Sequence, residues 1–326
     1  MRTHTREGTA PGAAHPARAV ALSALLGLAV GLSLLVGIRT GHTGPGGRVA
    51  VSVILVALPS VPADTRAAVR TLATRTGLVV PAALFVAAVD GHEVAVAAGI
   101  VVAAAVGYSV PIVGTTAALA VLLSGLRVVS DPHSLALPGL WELVGALVVV
   151  LAALLTRAGQ SRSRLSEPTG EVGTSWTVRR VASVAVAVLL ALATPLGVYG
   201  GHWLITAVLL SVRPTPAATR VRLTQRLLGN TVAAVLVAAL MASGVGPTAL
   251  AVVVGVLTGT ALALRPVSYL WWAVAAPPAL LIVGDYPVAH DWYEGVERVG
   301  LNVLGAAIVL AVCHLPRERR SRPAAG

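Results

Sequence analysis

Apolar residues run along this chain in long blocks, broken by short stretches of Gly, Pro, Arg and Ser. The blocks lack the strict alternation of a half-buried strand and have the continuity of helices. The first, about Ala19 to Ile38, is long enough to cross a bilayer core of about 30 Å, which takes roughly 20 helical residues. Inside it Gly27 and Gly31 form a small-xxx-small pair. Two readings stand: close packing on another helix, or chance in a glycine-rich chain. A Gly/Pro loop at 41–47 leads to a shorter run, Val49 to Leu58, broken by Pro59 and Pro62. Asp64 or Ser60 then caps a helix that carries Arg66, Arg70 and Arg75 and continues apolar to Val89. Asp90 to Glu93 is a turn; runs follow at Val94 to Val106 and Ile112 to Leu123, divided near Pro111. A polar loop with Asp131, Pro132 and His133 precedes a run from Leu140 to Leu155.

After a polar stretch at 157–180 the series begins again: Val181 to Leu196, Trp203 to Val212, Leu227 to Ala242, Ala249 to Leu264, Trp271 to Ile282 and Val299 to Leu315. The halves also match by residue. Residues 62–66, PADTR, correspond to 216–220, PAATR; Pro111 corresponds to Pro266; and 145–157 lies without gaps on 305–317. The pattern predicts an all-α membrane protein of about 12 transmembrane helices, arranged as two parallel six-helix repeats related by an axis along the membrane normal. The expected divisions are a tail at 1–16, a first repeat at 17–157, a linker at 158–178, a second repeat at 179–316 and a tail at 317–326. Several runs are too short to cross alone, and are expected to borrow polar turns or to lie buried among neighbours.

Composition fits this picture. The chain is 56% hydrophobic and 11% charged, with a mean hydropathy of +0.84. A net charge of +11 would suggest nucleic acid for a soluble protein, but the arginines sit at the ends of apolar runs, so no nucleic-acid partner is expected. With a cytoplasmic N-terminus, up-down threading puts all of the 24 arginines on the cytoplasmic side except Arg39, Arg48, Arg127 and Arg298. That asymmetry predicts a multi-pass inner-membrane protein with both termini cytoplasmic. The polar residues 1–16 carry no cleavable signal, so the first run is expected to stay as a membrane helix.

Catalytic chemistry finds no foothold. One cysteine, Cys313, excludes an internal disulfide and a cysteine-based metal cluster. There is no phosphate-binding Gly-rich loop ending in Lys, and no carboxylate pair or Ser/His/Asp set falls in an apolar run. An enzyme, a cofactor and a metal are therefore not expected. The loop with His290, Asp291, Glu294 and Glu297 reads as solvated, not as a metal site.

Residues 201–231 carry the most specific pattern. An apolar segment opens on His202 and Trp203 and stops at Pro214. Thr219 follows five residues later, Arg226 seven beyond it and Gly229 after three more. Near the end, Arg298 opens the last run with Gly305 seven residues on, after the acidic and aromatic loop Asp291 to Glu297. These positions resemble the signature of the fusaric acid resistance family of bacterial inner-membrane proteins, which includes aromatic acid exporters. The resemblance covers roughly 180–317, and the first half only through the internal repeat. His202 stands where an aromatic is usual, and Asn230 where a threonine often follows the glycine. The resemblance implies a six-helix unit used twice and the outward movement of small organic anions such as aromatic carboxylates. More distantly the chain is similar to plant malate channels, in which two six-helix units line one anion path. A passive anion channel built as a fused pseudo-dimer and a non-transporting envelope scaffold are the competing readings. Whether a second copy or a periplasmic partner joins the chain is left open by the sequence.

The candidate anion-binding residues are Arg220, Arg222 and Arg226, with Arg66 and Arg70 as counterparts in the first half. Arg222 and Arg226, four apart, share a helix face, and a guanidinium fork suits a carboxylate. The competing explanation is anchoring of the cytoplasmic end of the bundle by charge. Arg226, directly before Leu227, is the position where an unpaired charge costs most. His202 beside Trp203 reads as an interfacial anchor or a proton-coupling group. Glu142 faces either a cavity or the outer headgroup zone.

Overall fold

The computed structural model describes residues 16–57, 61–62, 65–110, 112–130, 137, 139–156, 174–213, 215–286 and 294–314. The described residues form thirteen helices and no strand: α1 (Pro16–Thr40), α2 (Thr43–Ala57), α3 (Thr65–Ala88), α4 (Glu93–Ser109), α5 (Thr116–Ser130), α6 (Leu140–Thr156), α7 (Thr174–Leu192), α8 (Gly197–Gly200), α9 (His202–Ser211), α10 (Pro216–Ala242), α11 (Pro247–Leu264), α12 (Tyr269–Asp285) and α13 (Glu294–His314). Six of them, α1, α3, α7, α10, α11 and α13, contain segments long and apolar enough to cross a bilayer. Large apolar side chains face outward along them, such as Leu28 and Leu32 on α1 and Val235 and Leu236 on α10. Such an outer surface implies a lipid environment. The chain is thus a multi-pass helical membrane protein.

Against the twelve transmembrane helices expected, these six qualify as spans among the described residues, the other helices being shorter and α8 a single turn between α7 and α9. Two short helices are buried on nearly every side. In α9, Trp203 to Leu209 and Ser211 are all buried, and α2 is buried from Gly46 to Ala57 apart from a half-buried Val49. A helix apolar all round belongs among other helices, so the second option for the short runs, burial by neighbours, is the one these two take.

Packing partners recur between the halves. In the first, α2 packs on α1 and α6, α5 on α3 and α4, and α6 on α1 and α3. In the second, α9 packs on α7 and α13, α12 on α10 and α11, and α13 on α7 and α10. The halves meet where α1 lies on α11 and α4 on α7, with α2, α5, α9 and α12 between. At the first seam the pair Gly27 and Gly31 has its explanation: a Cβ on Gly27 would lie 2.5 Å from the Gly255 carbonyl oxygen and 2.8 Å from the Gly259 nitrogen. Glycines on both helices let the backbones touch.

The expected loop at 41–47 is a correction, because Thr43 to Gly47 already belongs to α2. Pro45 falls in the first turn, where its missing N–H breaks no helical bond. Gly46 fits under α1, where a Cβ would sit 2.5 Å from the Ser33 carbonyl oxygen. The helix thereby takes in Arg48, which is buried at 2% exposure instead of lying in the outer loop region. The stretch read as linker also gives up its last residues to α7, which begins at Thr174 and docks Trp176 by an Nε1 hydrogen bond of 2.6 Å to the Arg213 carbonyl. The expected caps Ser60 and Asp64, the prolines Pro59 and Pro111, and the loop residues Asp131, Pro132, His133, His290 and Asp291 lie outside the described residues.

Asp90 and Gly91 form the expected turn, both at positive φ. Tyr199 of α8 donates to the Gly91 carbonyl. Burial, and secondarily the charge of Glu93, push the Tyr199 phenol up to about 12. Its unfolded value is about 10, so the neutral phenol favours the folded state. That stabilisation is complete below about pH 10 and is lost as pH rises to about 12. Unfolding midpoints of purified protein across this window should fall less steeply for Tyr199→Phe than for the unaltered chain.

Candidate anion site

The corner between α9 and α10 is pinned by threonines. Thr215 caps α10, its side chain accepting from the Ala218 N–H at 3.2 Å, and Pro216 follows in the first turn. Thr219 accepts from the Arg213 N–H at 3.0 Å and donates to the Thr215 carbonyl at 2.9 Å. Thr219 therefore serves the corner and fixes the rotation of α10. With that rotation Thr219, Leu223, Arg226, Gly229, Asn230 and Ala233 are its buried face. Arg222 is half-buried, while Arg220 points to the exposed side. Gly229 lets α12 approach, since a Cβ there would lie 2.6 Å from that of Ala273.

Arg226 is 2% exposed, and its Nε and Nη1 have no hydrogen-bond partner. On α12, which packs on α10, there are more donors. Tyr269 and Trp272 stack with centroids 4.9 Å apart at 25°, both buried, and neither the Tyr269 hydroxyl nor the Trp272 Nε1 has a partner. The Arg222 guanidinium lies 3.0 Å over the Tyr269 ring, and that of Arg265 lies 5.8 Å from the Trp272 ring. Guanidinium and indole N–H groups can only donate. A buried donor without an acceptor costs about 1–3 kcal/mol, more when charged. The chemistry that relieves it is an acceptor, best one carrying negative charge.

Further along α10, Asn230 Nδ2 donates to Asn302 Oδ1 at 2.7 Å, and Asn302 Nδ2 donates to the Arg298 carbonyl at 2.8 Å. The Arg298 guanidinium lies 5.3 Å from the Trp203 ring centroid. Gly305 brings α13 onto α9, where a Cβ would lie 2.8 Å from that of Ala207. His202 is half-buried, with Nδ1 against the Tyr199 carbonyl.

The first half engages its buried arginines differently. Arg48 pairs with Glu142 at 3.1 Å, and Ser52 donates to the Glu142 carbonyl at 2.6 Å. Glu142 is buried, at 5% exposure. Arg75 Nη1 donates to the Val56 carbonyl at 2.9 Å, near the end of α2. Arg66 and Arg70 are exposed on α3, apart from this pair.

Of the candidates, the structure places Arg222 against α12, buries Arg226 on the same helix, and leaves Arg220, Arg66 and Arg70 on the exposed side. Pro214 lies outside the described residues. Tyr269, Trp272, Asn230 and Asn302 were missed. Their signals were a Tyr-Leu-Trp-Trp cluster in a chain with 4% aromatic residues, and amides within apolar runs. No group of His, Cys, Asp and Glu suited to a metal ion occurs among the described residues.

Helices of this length with an apolar outer surface define a multi-pass helical membrane protein. Residues 182–312 match the family model described as fusaric acid resistance protein-like, and over that segment the resemblance read from the motif holds. The segment contains Trp203, Thr219, Arg226, Gly229, Arg298 and Gly305. No curated protein and no solved structure matches the chain.

Proposed function

We propose that this protein moves small organic anions, of the aromatic carboxylate type, outward across the bacterial inner membrane, as a secondary exporter or part of one. The observation that carries this reading is Arg226: a guanidinium at 2% exposure with two nitrogens lacking acceptors, in the family-like segment. A carboxylate from the cytoplasm completes it, and the Tyr269 hydroxyl and Trp272 indole N–H supply further donors. The recurring packing partners of the halves support two parallel six-helix repeats, and the arginine asymmetry supports cytoplasmic termini.

The test is Arg226→Gln in cells exposed to benzoate. Loss of a charge-assisted bond of about 1.5–3 kcal/mol corresponds to about a ten-fold or greater fall in benzoate export. Unchanged export at equal membrane abundance would remove this role. The recurring packing also fits a passive channel built as a fused pseudo-dimer. Conductance in liposomes without a coupling gradient would favour that reading, and the absence of any solute response would favour a scaffold.

A further inference from the structure

We propose that the anion path runs inside the second half, from Arg226 past the Asn230–Asn302 pair to a second station at Arg298 and Trp203, and that the first half serves as its support. This rests on the reading that Arg226 receives the anion.

The geometry supplies the steps. Arg222, Arg226 and Asn230 are four apart on α10, so each step rises about 6 Å along one face. Asn230 is bonded to Asn302, which crosses the path to α13. Asn302 and Arg298 are again four apart, another rise of about 6 Å in the same direction, because α13 runs with its N-terminal end toward the C-terminal end of α10. Arg298 is 8% exposed and lies against Trp203, whose indole Nε1 is buried with no partner. An indole N–H can only donate, so Trp203 Nε1 is the group here that lacks an acceptor. Trp203 in turn lines a narrow cleft between the halves, with His202, Thr206, Leu55, Leu123 and Leu280 on its walls. The path therefore leads from the basic end of α10 to the opposite end of α9.

In the first half the equivalent positions are closed. Laying 145–157 on 305–317 puts Glu142 at the place of Asn302, and laying PADTR on PAATR puts Leu72 at the place of Arg226. Glu142 is paired with Arg48, and Arg75 engages the Val56 carbonyl. A fixed carboxylate stands where the second half has a neutral amide, and an apolar side chain stands where it has the receiving cation.

The experiment uses the full chain in liposomes with benzoate as the probe. Asn302→Asp, nearly isosteric, recreates the acid of the first half, and Trp203→Phe removes the indole N–H while keeping a ring. The first should reduce benzoate flux by about ten-fold or more and the second by about three-fold or more, the scale of a charged and a neutral hydrogen bond. Arg298→Gln should stop flux yet leave benzoate binding to detergent-purified protein, and Arg298→Lys should restore part of the flux. The double variant Arg48→Met with Glu142→Leu should carry benzoate at the original rate. Original flux in Asn302→Asp and Arg298→Gln, with Arg226→Gln inactive, would overturn the second station and keep the first. Original flux in Arg226→Gln would remove the underlying reading. Loss of flux in a folded Arg48/Glu142 double variant would overturn the supporting role of the first half.

Discussion

Glu142→Ala is expected to lower the stability of the purified protein by about 3–5 kcal/mol, the scale for removing one partner of a buried ion pair. Arg48 is 2% exposed and Glu142 is 5% exposed, so water cannot replace the lost carboxylate. The pair also sits at a tight contact. A Cβ on Gly145 would lie 2.6 Å from the Val49 carbonyl oxygen and 2.7 Å from the Ser52 Cβ, so α2 and α6 cannot slide apart to admit solvent without losing this packing. The cost is one of imbalance and not of lost attraction. Replacing both residues, Arg48→Met with Glu142→Leu, should therefore bring stability back to within about 1 kcal/mol of the original, as apolar replacement of buried pairs does. Unfolding of the single and double variants in detergent checks this. Equal destabilisation by both would show that the pair is held for its own attraction.

Gly255→Leu is expected to be similarly damaging, by about 3 kcal/mol or more, the upper part of the range for overpacking. A Cβ there would lie 2.8 Å from the Gly27 carbonyl oxygen and 3.2 Å from the Gly31 Cα. Both are backbone atoms of α1 and neither can rotate away, so the helices must separate. The seam between α1 and α11 joins the halves, which makes the effect global. Gly77→Leu on α3, where nothing lies within 4 Å of the added Cβ, is the control and should leave stability nearly unchanged. Comparable unfolding of the two variants would mean that the seam does not hold the bundle together.

How much of this was legible in the sequence depended on the period of the signal. Helices and the turn at Asp90 and Gly91 followed from unbroken apolar runs and local turn chemistry. Arg226 was singled out because it directly precedes an apolar run, and that same depth is why it is buried. The glycines of 41–47 were read as a loop because local propensity cannot see α1, whose backbone Gly46 accommodates. Glu142 and Arg48, 94 residues apart, could not be paired from spacing. Tyr269 and Trp272 gave only a weak signal, since aromatic residues near the end of a membrane helix ordinarily read as interfacial anchors. Their missing partners are visible only in three dimensions.

The shortness of α9 has an electrical consequence. Ten helical residues extend about 15 Å, half of a bilayer core. The proposed path from Arg226 to Trp203 ends at this short helix. A monovalent anion moved out of a cell with a negative interior gains about 2.3 kcal/mol per 100 mV. An anion on the proposed path collects part of that gain between Arg226 and Trp203, so the resting potential itself favours its outward over its inward movement.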